Sequence, residues 1–330
     1  MFNSVLSCEM TSYIELRKQC VTQSSIRGDI CVLKSLDQLL ISNNISDKRI
    51  SEELISAWMH SLTGASKTVS AKVIILRGFV KYLQSMGIYC FLPESPRCKS
   101  DYIPYIFSDE ELSAIIRIAD NLKDMLLCNQ HTPNIELVIP MVLRILMGCG
   151  TRLGETMELK RMDVDFEHRT LLLRITKYSR ERMIPVHDSL IRILERYCLA
   201  LGIMYEPNAY LFPGKKPKTH LTTRQVDEWF SRILEVATID RHQKEPGKRG
   251  ACLHCLRHVF VLKSMQQLEK AGHSVDMNDL LLPTYLGHKC LLDTDRYMRL
   301  SGAQSPETIE RFESFTVGLI PNVEDAYEEE

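Results

Sequence analysis

Aromatic residues make up only 7% of the 330 positions, and no long uninterrupted apolar run is present. The longest candidate, Ile135 to Cys149, is broken by Glu136, Pro140 and Arg144, whereas a membrane helix needs about 20 consecutive apolar residues. No membrane span is expected. The first ten residues hold no basic residue and their first charge is Glu9, so they do not read as a secretory signal, and a cytoplasmic protein is expected. There is no internal repeat and no excess of one charge: 41 Lys and Arg face 42 Asp and Glu, for a formal net charge of -1. An even set of cysteines is lacking too. Eleven are scattered from Cys8 to Cys290 in a long chain without an export signal, which predicts reduced, mostly small core residues instead of a disulfide framework.

What remains is the balance of an ordinary globular protein, 45% hydrophobic and 25% charged. The length predicts two domains, at roughly 100 to 200 residues each. The near-zero net charge hides an asymmetry. Residues Glu307 to Glu330 carry eight acids and one base, so residues 1–306 carry a formal +6 and an acidic tail follows a mildly basic body. A polyanionic partner is therefore allowed.

The first hundred residues read as a helical bundle. Ile26, Ile30, Leu33, Leu36 and Leu40 keep helical spacing; Ser51-Glu52-Glu53 opens a second segment with Leu54, Ile55 and Trp58; Val69, Val73, Leu76, Val80 and Leu83 form a third that stops at Gly87. Three prolines in Phe91 to Pro104, the last included, mark a linker. A capping box, Ser108-Asp109-Glu110-Glu111, then opens a second domain that is helical up to Gly148-Cys149-Gly150. Thr170 to Thr176 and Arg182 to Val186 read as a β-hairpin around Tyr178-Ser179-Arg180-Glu181. Helical spacing resumes at Leu190 to Leu201, at Val226 to Ile233 and from His254 to about Leu268. The expected fold class is mainly α with a small β-hairpin or sheet in the C-terminal domain.

The densest chemistry lies in Cys252-Leu253-His254-Cys255-Leu256-Arg257-His258. Cys252 and Cys255 have the spacing of half a zinc site, but no second half follows at a structural distance. His254 and Arg257, at i and i+3, present two donors on one helix face, suited to a phosphate oxygen. By itself the pair reads better as a core histidine and a solvated arginine. Two further motifs alter that balance. Gly150-Thr151-Arg152-Leu153-Gly154-Glu155 sets an arginine just after a helix end, with Leu159 and Asp163 beyond it, and Leu286-Gly287-His288 precedes Tyr297 by nine residues.

In residue type, order and spacing these motifs resemble the tyrosine recombinase, or phage integrase, family. A fourth element agrees: the family places a lysine at a hairpin turn with an arginine five and a proline eight residues later, matched by Lys177, Arg182 and Pro185. Tyr178-Ser179 stands where a glycine commonly shapes that turn, and Pro283 departs from the usual continuous helix, which a short helix starting there would accommodate.

The resemblance implies a helical core-binding domain over residues 1–103, a catalytic domain over 104–302 and an acidic tail over 303–330 that docks on a neighbouring protomer. It implies a site-specific recombinase that cuts and rejoins double-stranded DNA through a 3'-phosphotyrosine, with mobile-element integration and excision as the expected role. Alternatives are relaxation like that of type IB topoisomerases and chromosomal resolution like that of Xer proteins. The implied catalytic residues are Arg152, Lys177, His254, Arg257, His288 and the nucleophile Tyr297. No metal or other cofactor is implied. The implied partners are double-stranded DNA, a tetramer of this chain on two DNA sites, and other recombinases or DNA-bending proteins. Bound to DNA, the protein would associate with the nucleoid. Basic residues that could meet phosphates are Lys67, Lys72, Arg77 and Lys81 on one predicted helix, Lys215, Lys216, Lys218 and Arg224 in an acid-free run, and Arg241, Lys244, Lys248 and Arg249 leading into His254.

Overall fold

The computed structural model describes residues 2–21, 23–94, 104–125, 133–174, 181–241, 250–270 and 282–287. The chain divides into two compact units, Met1–Asp101 and Tyr102–Glu330.

The first unit is built from helices α1 (Ser7–Lys18), α2 (Gln23–Ser42), α3 (Glu52–Ser61) and α4 (Ser66–Ser85). Its core joins Met10 and Ile14 of α1, Leu33, Leu36 and Leu40 of α2, Ile55 and Trp58 of α3, and Val73, Leu76, Phe79, Val80 and Leu83 of α4. The Ser51 hydroxyl accepts a hydrogen bond from the Leu54 amide and caps α3, while the buried Trp58 Nε1 donates to Ser35 Oγ at 2.9 Å. Three of these helices are legible as apolar periodicity. The reading of the sequence omits α1, although its buried residues Met10, Tyr13 and Ile14 keep i, i+3, i+4 spacing.

The second unit opens with α5 (Asp109–Asp120), held by the expected capping box: Ser108 Oγ accepts from the Glu111 amide at 3.2 Å and Glu111 Oε2 accepts from the Ser108 amide at 2.8 Å. Next comes α6 (Ile135–Cys149), whose buried residues include Ile135, Val138, Ile139, Met141, Val142, Leu143, Ile145, Leu146 and Cys149. Burial around most of its circumference makes α6 the central helix of the unit. Pro140 stands inside it and lacks an amide to donate, and the Pro140 carbonyl accepts from Arg144 Nη1 at 3.3 Å.

After the short α7 (Leu153–Met157) the chain forms a three-stranded antiparallel sheet in the order β1 (Val164–Asp165), β2 (Thr170–Leu173) and β3 (Arg182–Pro185). Leu173 pairs with Arg182, so β2 and β3 are the two strands of the expected hairpin; residues 175–180 lie outside the described residues. The strand β1, paired through Val164 and Leu171, is an addition to the hairpin read from the sequence, since two residues are too few for an alternation to register. Helices α8 (Asp188–Ala200), α9 (Thr223–Val236) and α10 (Leu253–Lys270) complete the unit. Residues 282–286 are helical, Pro283 among them. No helix among the described residues is long and apolar enough to cross a membrane.

Candidate active site

The site is assembled where α6 ends. Gly150 closes that helix in the left-handed region, at φ +57°, with its amide donating to the Leu146 carbonyl at 3.2 Å. A Cβ on Gly150 would lie 2.2 Å from Phe260 Cδ1 of α10, so both backbone and packing require glycine. This tight turn delivers Arg152 to the start of α7.

The Arg152 side chain is 25% exposed, and its Nη1 pairs with Glu155 Oε1 at 2.7 Å. The other oxygen, Glu155 Oε2, takes Arg182 Nη2 of β3 at the same distance. Burial pushes the Glu155 carboxyl up, but the hydrogen bonds and charges of Arg182 and Arg152 outweigh it and hold the group below the usual carboxylate range. The carboxylate therefore links the Arg152 motif to the strand that follows the Lys177 turn.

Arg257, only 2% exposed, extends the assembly from α10. Its Nη1 donates to the Gly150 carbonyl at 2.6 Å and its Nη2 to the Leu286 carbonyl at 2.9 Å. Arg182 reaches the same segment, with Nε donating to the Tyr285 carbonyl at 3.0 Å. Tyr285 in turn donates from its hydroxyl to the Cys149 carbonyl at 3.2 Å and stacks on Phe260 with ring centroids 5.5 Å apart. Gly287, at φ +64°, brings the backbone close to the arginine, since a Cβ there would lie 3.0 Å from Arg182 Nη1. Three motifs separated by up to 137 positions in the sequence, at Gly150, Arg257 and Gly287, thus converge through backbone carbonyls and two guanidiniums.

His254 is exposed on the first turn of α10, with its ring edge-on to the buried His258 at 4.7 Å between centroids. It lines a cleft of about 470 Å³ together with Thr151, Leu153, Arg224 and Cys252. The structure therefore brings Arg152, His254 and Arg257 to one region. Lys177, His288 and Tyr297 lie outside the described residues. Sequence reading missed Tyr285 and Phe260, which carry no motif of their own. Glu155 had a signal in its i, i+3 spacing from Arg152. Asp163 serves the fold, since its Oδ2 accepts from the Lys160 amide at 2.9 Å and its Oδ1 pairs with Arg174.

The basic candidates separate by environment. Lys67, Arg77 and Lys81 of α4 fall within an arc of about 80° at 100° per residue, while Lys72 points about 140° away from Lys67 and donates to the Thr63 carbonyl at 3.3 Å. Lys215, Lys216 and Lys218 are exposed and line a groove of about 720 Å³ with Lys160 and Tyr210. Arg224 is 88% exposed beside Glu228. Arg241 is engaged within the fold, bound to Asp227 at 3.1 Å and to the Ser231 hydroxyl. Lys244, Lys248 and Arg249 lie outside the described residues, as does the 303–330 tail. Among the described residues no group of three or more His, Cys, Asp or Glu could hold a metal ion.

The order and spacing of these motifs resemble one family, and residues 108–303 match the model of the phage integrase family. The chain belongs to the phage integrase family. This tyrosine recombinase is 27% identical over 248 residues to y4rE of Sinorhizobium fredii, which carries an integrase/recombinase name, an alignment covering 72% of this chain and 74% of the relative. It is 28% identical over 211 residues to the tyrosine recombinase XerA of Pyrococcus horikoshii, covering 63% and 61%. Its fold matches that of the XerH site-specific recombinase bound to a palindromic difH substrate, with a TM-score of 0.63 and 18% identity over 84% of this chain and 77% of that one. This tyrosine recombinase is an enzyme of site-specific DNA recombination.

Proposed function

We propose that this recombinase cleaves double-stranded DNA with Tyr297 as nucleophile and exchanges strands within a tetramer on two DNA sites. One observation carries the reading: Arg152 and Arg257, 105 residues apart in the sequence, are organised on the two sides of Gly150, with His254 on the same turn as Arg257. Attack on a phosphodiester builds negative charge on the non-bridging oxygens, and two guanidiniums supply fixed donors for it. His254 and His288 add hydrogen bonds, and His254 assists deprotonation of the nucleophile. The Tyr297 hydroxyl displaces the 5'-oxygen, which takes a proton from Lys177, leaving a 3'-phosphotyrosine and a 5'-hydroxyl. The 5'-hydroxyl of a second DNA end then attacks that ester and releases the tyrosine. Bond energy is conserved in the ester, so the arginine-based site needs no metal or nucleotide.

In this reading residues 1–103 form the core-binding domain, residues 104–302 the catalytic domain and residues 303–330 a tail that docks on a neighbouring protomer. Lys67, Arg77 and Lys81 meet phosphates from the first, and Lys215, Lys216, Lys218 and Arg224 from the second, both by sequence-independent charge. The protein acts in the cytoplasm on nucleoid DNA, with partner recombinases or DNA-bending proteins where its sites require them. The integrase/recombinase name of its relative supports integration or excision of a mobile element. The XerA relative favours a second reading, resolution of replicated chromosomes.

The test is strand transfer between two labelled duplexes carrying the native sites, in excess EDTA. Recombinant products are expected. Relaxation of supercoiled DNA without exchanged strands would replace this reading with a topoisomerase one, and a requirement for added Mg²⁺ or Zn²⁺ would contradict the metal-free chemistry.

A further inference from the structure

Cys252 and Cys255 take no part in the chemistry above, yet they flank His254, Cys252 just before α10 and Cys255 on its first turn, two positions before Arg257. Their sulfurs are 3.4 Å apart. Closing that gap to a disulfide at about 2.05 Å requires a shift of little more than 1 Å. The two thiols are also unlike. Cys255 is fully buried, whereas Cys252 is partly exposed and lines the cleft that also holds His254 and Arg224. One thiol is thus open to a small reagent and the other waits behind it. The Cys252 carbonyl accepts the Cys255 amide at 2.9 Å, so the turn that joins the sulfurs is already formed.

Among the described residues of the second unit, the other two cysteines, Cys149 and Cys198, are both buried. Burial pushes Cys149 up to about 12 and Cys198 to about 11, which keeps both thiols protonated and unreactive at neutral pH. The hydrogen bond to Cys252, followed by burial, also raises Cys255 while both thiols are reduced, and the first of these causes ends when Cys252 becomes a mixed disulfide. Cys8, Cys20 and Cys31 are exposed but belong to the first unit.

We propose that Cys252 and Cys255 form a reversible disulfide by exchange with a low-molecular-weight disulfide, and that this bond lowers DNA cleavage by distorting the turn that carries His254 and Arg257. In the first step Cys252 attacks the reagent, giving a mixed disulfide and one small thiol, with the Cys252 proton leaving on or with that thiol. In the second, Cys255 attacks the Cys252 sulfur, gives up its proton, and releases the second small thiol. The protein loses two electrons and two protons, and the reagent gains both. The crosslink pulls on the residues on either side of His254 and lies two positions from Arg257, whose two carbonyl contacts have little slack at 2.6 and 2.9 Å. The effect on cleavage rests on the reading of His254 and Arg257 given above; formation of the disulfide does not.

The test treats the full chain with glutathione disulfide and maps thiols by alkylation and non-reducing peptide mass analysis. A peptide linking Cys252 to Cys255 is expected, two hydrogens lighter than its reduced form. Covalent cleavage of a nicked duplex should fall tenfold or more and return with dithiothreitol, while Cys252→Ser should cleave equally with and without oxidant. In Cys255→Ser, a glutathione mixed disulfide should accumulate on Cys252. Both thiols staying free to alkylate under oxidant would overturn the proposal, as would their protection by stoichiometric zinc in place of oxidation. A mapped disulfide with unchanged cleavage would overturn the switch. A mapped disulfide in a protein that never cleaves would instead contradict the active-site reading.

Discussion

Arg182 and Glu155, 27 residues apart, form an ion pair of 2.7 Å in which the carboxylate is 4% and the guanidinium 13% exposed. Since the other Glu155 oxygen holds Arg152 and Arg182 also binds the Tyr285 carbonyl, this pair ties the β-hairpin to two of the three remaining motifs. Removing one partner of a buried pair typically costs about 3–5 kcal/mol, because it strands the other charge. Glu155→Ala should approach that range and Arg182→Ala should cost less, since Arg152 still neutralises Glu155. Urea titration of the three proteins checks the order.

The same carboxylate sets an acid limb. Glu155 titrates below its unfolded value of about 4.3, so between the two values the unfolded chain binds more protons and stability falls as the pH falls. Its contribution is complete above the unfolded value and is lost as the pH drops through the folded one. Glu155→Gln should flatten stability between pH 5 and the acid transition, by roughly one proton in the slope. Urea midpoints at stepped pH measure this.

Gly150→Ala should be among the most damaging small substitutions. The left-handed φ costs about 1 kcal/mol for a residue with a Cβ, and the overlap with Phe260 adds a repacking cost of about 1–3 kcal/mol. The Gly150 carbonyl would move from Arg257 at the same time. Thermal unfolding should show the loss, and Phe260→Leu should recover part of it.

Much of this architecture is legible in the sequence, for reasons visible in particular residues. Ser108 and Glu111 announce α5 because capping is local chemistry, and the apolar spacing of Leu190, Leu194, Tyr197 and Cys198 announces α8 because that face is buried. Arg152, His254 and Arg257 are found through the resemblance of their motifs, in residue type, order and spacing, to the family's. Tyr285, Phe260 and the Cys149 carbonyl escape such reading, since their partners are far away in the chain, 136 positions for Tyr285 and Cys149, or are backbone groups that any residue would supply. The strand β1 is invisible because it is two residues long.

The proposed general acid is open to a chemical rescue. Lys177→Ala should slow cleavage by about 10² to 10⁴, the usual worth of positioned proton donation. On DNA with sulfur in place of the bridging 5'-oxygen, which leaves without a proton, the variant should cleave nearly as fast as the parent. Arg257→Ala should stay slow on both substrates.

The central claim, covalent catalysis by Tyr297, is tested most directly by trapping the intermediate on a nicked duplex, digesting the adduct and sequencing the DNA-linked peptide by mass spectrometry. The account predicts a 3'-phosphate ester on Tyr297, with Tyr297→Phe binding DNA as tightly as the parent and forming no adduct. An adduct on any other residue, or one that persists in Tyr297→Phe, would contradict it.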